Sequence, residues 1–204
     1  MKLKYIIPLL LVVFAINAQA QTWSTGLSYS MGFGVSNTSD YISKPAFSGF
    51  NIEGHKLLKP NISVGLTTGW NVFSEKGNEV VQIQSGAVSG EHGKYLNIFP
   101  ILVNASYYFT DKRQSKFVPF ARAHVGTYYI MQRFDVGVYT FNNDNWHFGI
   151  APEVGFMIAA SRDVDILVNS RFNYAFDSGT QLGGNTDNSH SYISLNIGIS
   201  YYNF

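Results

Sequence analysis

The chain has 204 residues, of which 46% are hydrophobic, 16% aromatic and 13% charged, with a formal net charge of +1. Charged residues usually make up about a quarter of a domain, so this surface is unusually poor in charge, and the near-neutral balance gives no reason to expect nucleic acid as a partner. The absence of cysteine excludes disulfides and acylation at a cysteine, so an exported domain must find its stability elsewhere.

Met1-Lys2-Leu3-Lys4-Tyr5 is a short positive region, Ile6 to Ile16 an eleven-residue apolar run, and Asn17-Ala18-Gln19-Ala20 a small-x-small site. These are the three parts of a secretory signal peptide, with cleavage expected after Ala20. The run is shorter than the ~20 residues a spanning helix needs. Residues 1–20 are therefore read as a cleaved leader and residues 21–204 as one domain. Its formal charge is −1, because losing Lys2 and Lys4 leaves twelve basic residues against thirteen acidic ones.

From Trp23 onward every second residue is large: Trp23, Thr25, Leu27, Tyr29, Met31, Phe33 and Val35 alternate with Ser24, Gly26, Ser28, Ser30, Gly32 and Gly34. A two-residue period is a β-strand, because successive side chains leave opposite faces of the pleat. Seven further stretches alternate in the same way, over 49–55, 62–72, 101–109, 120–129, 146–158, 166–176 and 193–201. Each is expected to be a strand of roughly ten residues with one apolar face and one small or polar face. Pro100, at the head of the fourth strand, and Pro152, inside the sixth, each remove a ladder hydrogen bond, which marks either a bulge or a local kink in one strand.

The connectors alternate in length. Leu57–Asn61, Thr110–Lys116 and Ala160–Val164 are short, whereas Asn37–Ser48, Ser74–Lys94, Gln132–Asn145 and Asp177–Ser189 are long. An up-and-down meander with turns at one end and loops at the other produces this pattern. Val80-Val81-Gln82-Ile83 in the longest connector is expected to extend the third strand. Aromatics collect at both ends: Trp23, Tyr107, Tyr108, Phe109, Phe117, Phe156 and Tyr201 near the short turns, and Phe33, Trp70, Phe73, Tyr128, Tyr129, Trp146, Phe172, Tyr174 and Phe176 near the loops. Two aromatic girdles imply a bilayer between them. The fold expected is all-β, an eight-stranded antiparallel up-and-down transmembrane β-barrel with its large apolar residues toward lipid and its Ser/Gly face toward a narrow lumen.

The strand pattern, the turn Leu57-Leu58-Lys59-Pro60-Asn61, the segment VPFARAHVGTYY and the C-terminal NIGISYYNF together resemble the small eight-stranded outer-membrane barrels of the OmpA, OmpX and OmpW type, and the related barrel-domain proteins common in Bacteroidetes. The resemblance spans residues 21–204. It implies the outer membrane of a Gram-negative cell, short periplasmic turns, long extracellular loops and both mature termini in the periplasm. Its implied partners are outer-membrane lipids and lipopolysaccharide, the barrel-assembly machinery, and an extracellular ligand at loops 74–94 and 177–189. Asn196, Gly198, Tyr201 and Phe204 match the polar, glycine and aromatic positions of the C-terminal assembly signal. Asn203 holds the outward parity expected of the last aromatic, and a bulge near Tyr201-Tyr202 would turn Phe204 outward.

The charged residues on the lumen face are the candidate site. If the turn between the sixth and seventh strands centres on Arg162, Glu153 and Arg171 are each nine residues from it and face one another. Arg122 lies nine residues above a turn centred on Arg113, at a similar height, and Glu53 reaches in from the second strand. Buried charge is costly unless paired, and eight strands leave a lumen just wide enough for side chains to fill. Glu53, Arg122, Glu153 and Arg171 are therefore read as a paired plug, with His124 and His147 as lumen-facing, hydrogen-bonded histidines of the same network. No metal, cofactor or catalytic residue is expected: the five histidines have no ligand spacing, and Gly183-Gly184-Asn185 is a loop turn. The resemblance also includes lipid A acyl-modifying barrels, and Asp187, Ser189, His190 and Ser191 have the residue types for such chemistry; polar loop composition explains them equally. The function expected is a non-enzymatic structural or surface-interaction barrel. The alternative is an OmpW-like channel for small hydrophobic solutes.

Overall fold

A computed structural model of the protein describes residues 23–77, 81–83, 86–88, 92–111, 115–136, 139–179 and 188–203. The elements in chain order are β1 (Trp23–Val35), α1 (Asn37–Tyr41), β2 (Ser48–Lys59), β3 (Ile62–Gly77), β4 (Val81–Ile83), β5 (Gly86–Val88), β6 (His92–Tyr108), β7 (Phe117–Val136), β8 (Tyr139–Ala159), β9 (Val164–Ala175) and β10 (His190–Asn203). Eight of the strands close into a barrel in the order β1-β10-β9-β8-β7-β6-β3-β2, while β4 and β5 form a separate hairpin. Every barrel pairing is antiparallel, and β1 on β10 completes the ring. Closure leaves no unpaired edge in the ring, as hydrocarbon requires.

The alternation read from the sequence sets the two faces. Along β1, Trp23, Leu27 and Tyr29 are exposed while Ser24, Ser28 and Ser30 are buried. Leu66 and Val154 are each 63% exposed, and Val103 and Ile199 each 55%. So much bare apolar surface on every strand of the barrel has no place in water, and it forms the outer band of a transmembrane barrel. The signal-peptide reading and Phe204 lie outside the described residues.

Several expectations are corrected. The eight barrel strands are 12 to 21 residues long, and the two longest, β7 and β8, pair continuously from Phe117↔Ile158 to Val136↔Tyr139. Most of the loop expected over Gln132–Asn145 is thus a two-stranded ribbon standing above the ring. The same holds for the flanks of the third connector, where Ser74–Gly77 pairs with His92–Tyr95. Val81–Ile83 does not extend β3; it pairs with Gly86–Val88.

The prolines mark gaps in a ladder and no bulge. On β3 the register runs from Thr68↔Ile101 to Asn71↔Ile98 without a shift across Pro100, and on β9 from Ile150↔Tyr174 to Glu153↔Arg171 without a shift across Pro152. Each lacks an N–H on the gapped side and pairs normally on the other, Pro100 with Tyr128 and Pro152 with Ala123. No bulge occurs at Tyr201-Tyr202 either, since β10 keeps one register on β1 through Asn203↔Trp23. Three expected girdle residues point the other way: Phe73, Tyr108 and Tyr128 are fully buried inside the barrel.

Candidate functional site

The lumen is built in layers. Nearest the short turns, Tyr108, Val118, Phe120, Met157, Leu167 and Tyr202 form an apolar floor. Toward the long-loop end a second apolar layer includes Ile42, Phe73, Leu96, Ile98, Tyr128 and Tyr192. Between them lies the charged cluster, on inward positions of β2, β7, β8 and β9.

The cluster follows from register. Arg122 stands opposite Glu153, and Glu153 opposite Arg171 on its other side. Arg122 Nη1 donates to Glu53 Oε2 at 2.8 Å across the lumen and to Glu153 Oε1 at 3.1 Å beside it. Its guanidinium lies over the Phe120 ring, 4.2 Å from the centroid, so the floor supports it. Arg171 Nη1 lies 3.9 Å from Glu153 Oε2, and its Nη2 donates to Asn51 Oδ1 at 2.7 Å. Asn51 donates in turn to Asn196, and Asn196 to Asn169. The four charged residues are at most 5% exposed, and two carboxylates meet two guanidiniums, so the charge balances where low dielectric makes imbalance most costly.

His124 joins this layer: its Nδ1–H donates to the Ala151 carbonyl at 2.9 Å, and Nε2 lies 3.7 Å from Glu153 Oε2. His55, on the polar face of β2 but not read as part of the network, places Nε2 3.4 Å from Glu53 Oε1. The available signal was its parity, two residues on from Glu53. His147 is corrected. It is buried in the lumen, but it sits four residues up β8 from Ala151, with its ring against His190. It belongs to the mouth at the long-loop end and not to the charged cluster.

That mouth is covered by the chain between β1 and β2. Ile42 and Ala46 are buried in the upper apolar layer, and Ala46 bridges backbone to backbone with Gly32. Thr38 Oγ1 accepts from the Ser191 amide at 2.9 Å, while the Ser43 amide and hydroxyl donate to the Glu75 carboxylate at 2.8 and 2.9 Å. Residues 37–46 thus lie as a strap from β10 across to β3. Tyr41, within it, is pushed up to about 12 by burial and by Asp135.

Among the residues weighed for catalysis, Asp187 lies outside the described residues. Ser191 Oγ donates to the Val35 carbonyl, Ser189 Oγ accepts from Asn37, and His190 Nδ1 faces Thr38. Of the assembly-signal residues, Asn196 is tied into the lumen network and Tyr201 is 52% exposed. At Gly198 a Cβ would run into the Leu27 carbonyl and lie 2.5 Å from Ser28 Cα, so only glycine lets β1 and β10 approach this closely.

No family model matches the chain, and no curated protein matches it by sequence. Solved structures do. Neisserial surface protein A matches with a TM-score of 0.54 at 15% identity, over 90% of this chain and 97% of that one. The outer membrane protein OprG of Pseudomonas aeruginosa matches with a TM-score of 0.52 at 14% identity, over 91% and 97%. This is the fold of the small outer-membrane barrels. At such identities the likeness is one of architecture, and what this barrel does has to be argued from its own lumen and mouth.

Proposed function

We propose that this outer-membrane barrel is a non-enzymatic protein whose lumen is closed by an ion-paired layer and whose long-loop end carries a structural or surface-interaction role. The observation that supports this reading is the bridging of Glu53 and Glu153 by Arg122, sandwiched between apolar layers above and below. An ion crossing the barrel must break that bridge or pass through packed side chains. In this reading the long loops face outside the cell, both ends of the mature chain are periplasmic, and the partners are outer-membrane lipids, lipopolysaccharide and a ligand at the loops around 74–94 and 177–189. Planar-bilayer recording tests the closure. Wild type should conduct ions poorly, and Arg171→Ala should raise conductance or destabilise the barrel. A large, steady wild-type conductance unaffected by Arg171→Ala and Glu153→Ala overturns it.

A second reading, passage of small hydrophobic solutes as in OmpW-like barrels, draws on the ladder gaps at Pro100 and Pro152, beside Tyr128 and Ala151 of the upper apolar layer. It is favoured if proteoliposomes that exclude ions take up apolar solutes faster than protein-free vesicles, and lose that advantage when bulky residues replace Ala151.

A further inference from the structure

Away from the charged cluster, near α1, three side chains meet at the mouth, Gln132 from β7, Asn188 just before β10 and His190 at its start, with the ring of His147 from β8 beside His190. Each is at most 2% exposed. The Gln132 amide nitrogen lies 3.0 Å from His190 Nε2 and 3.1 Å from Asn188 Oδ1, and these two are themselves 3.1 Å apart. Three donor atoms with mutual spacings of about 3 Å are what one face of a six-coordinate ion requires at metal–ligand distances of about 2.1 Å. The oxygen and nitrogen of a Gln amide are assigned from its hydrogen bonds, and a half-turn of that group sets Oε1 at the same vertex.

His147 completes the set. Its Nδ1 is 2.9 Å from the Phe176 carbonyl, so Nδ1–H donates there and the Nε2 lone pair points elsewhere. That Nε2 is buried and has no hydrogen-bond partner among the described residues. The His147 and His190 ring centroids are 5.5 Å apart, a separation that two imidazoles on one ion reach at metal–nitrogen distances of about 2.0–2.1 Å and a nitrogen–metal–nitrogen angle of about 120°. The outer shell is also in place. Thr38 Oγ1 lies 3.4 Å from His190 Nδ1, while Asp177 accepts from the Asn188 amide at 2.8 Å and Ser178 accepts from its side-chain nitrogen at 2.7 Å, leaving Asn188 Oδ1 toward His190.

Two neutral imidazoles with two amide oxygens suit the borderline first-row ions and not calcium or magnesium, which favour an all-oxygen shell. We propose that His147 and His190, with Asn188 and Gln132, bind one divalent transition-metal ion at the mouth of the barrel, a site independent of whether the lumen conducts. His147 lies some forty residues before Asn188 and His190 in the chain, so no local spacing announces it.

The test uses the barrel in detergent micelles, produced without a polyhistidine tag. Calorimetric titration with Ni²⁺ should show one strong site per chain. His147→Ala and His190→Ala should each weaken it at least ten-fold, Thr38→Val should weaken it less, and His92→Ala should leave it within two-fold. The spectrum of wild type loaded with one equivalent of Cu²⁺ should show coupling to two imidazole nitrogens, a readout that requires no variant to fold. Affinities within two-fold of wild type for both His147→Ala and His190→Ala, or Cu²⁺ coupled to fewer than two imidazole nitrogens, overturns the proposal.

Discussion

Replacing Arg122 by Met keeps the length of the side chain and its place over Phe120 but removes the guanidinium that bonds both Glu53 and Glu153. Two hydrogen bonds to charged groups, at 2.8 and 3.1 Å, are lost, each worth about 1.5–3 kcal/mol net. The two carboxylates left behind are at most 5% exposed, and stripping one partner from a buried pair costs about 3–5 kcal/mol. The first route gives about 3–6 kcal/mol and the second about 3–5 kcal/mol, so a loss of about 3–5 kcal/mol is expected. The double variant Arg122→Met/Glu53→Gln leaves Glu153 balanced by Arg171 and should recover most of that loss, because removing both members of a buried ion pair together is often close to neutral. Urea unfolding in lipid vesicles, followed by fluorescence of Trp23, Trp70 and Trp146, measures each variant, with gel migration before and after boiling as the check on barrel formation. A loss below about 0.5 kcal/mol for Arg122→Met refutes the reasoning, since that is the range of ordinary surface substitutions. So does a double variant less stable than the single one.

Gly198→Ala should cost about 1–3 kcal/mol through overpacking at the β1–β10 seam, whereas Gly54→Ala, where a Cβ meets nothing within 4 Å, should be close to neutral; equal unfolding midpoints for the two would refute the close-approach argument. Burial raises the Glu75 carboxyl, but the Ser43 amide and hydroxyl, with Lys94 and Lys44, bring it below its ordinary value. A depressed acid contributes stability above its unfolded pKa and loses it as pH falls through the folded one. The Ser43 amide resonance should therefore titrate below the usual Glu value of about 4.3 and stop titrating in Glu75→Gln; an unchanged titration in that variant would disprove the clamp. A cysteine replacing Tyr139, which is 70% exposed on the ribbon, should react with an impermeant maleimide on intact cells, and one replacing Ser161 should react only after lysis; the reverse would invert the orientation.

The strap across the mouth and the ribbon of β7 and β8 give the long-loop end a shape unlike the plain loops that the connector lengths suggest. Both rest on contacts outside the membrane band. Tyr41 accepts the ammonium of Lys94 over its ring at 5.6 Å, and Arg133 donates to Asp135 on the ribbon at 2.9 Å. Such exposed pairs contribute little stability, and the burial of Ile42 is the stronger anchor of the strap.

Strand number, strand order and the assignment of faces were legible in the sequence, because the pleat makes side-chain direction a property of local parity and short turns force neighbours in sequence to pair. Within a hairpin even the register was legible: counting outward from Arg162 and the observed ladder give the same pair, Glu153 and Arg171. Beyond one hairpin the local rules stop. That Glu53 meets Arg122 depends on strand tilt and on closure of the ring, which set the heights of strands 69 residues apart in sequence. That His147 leaves the charged layer and faces His190 follows from the stagger of β8 against β10. The inward turn of Tyr108, Phe73 and Tyr128 reflects parity overriding the interfacial preference of aromatic rings, and the rise of β7 and β8 above the ring reflects cross-strand pairing that polar residues such as Asn142 and Asn143 give no periodic sign of. Periodicity reports the direction of each side chain from its own backbone, whereas its partners are fixed by the separation and tilt of strands that only the closed barrel brings together.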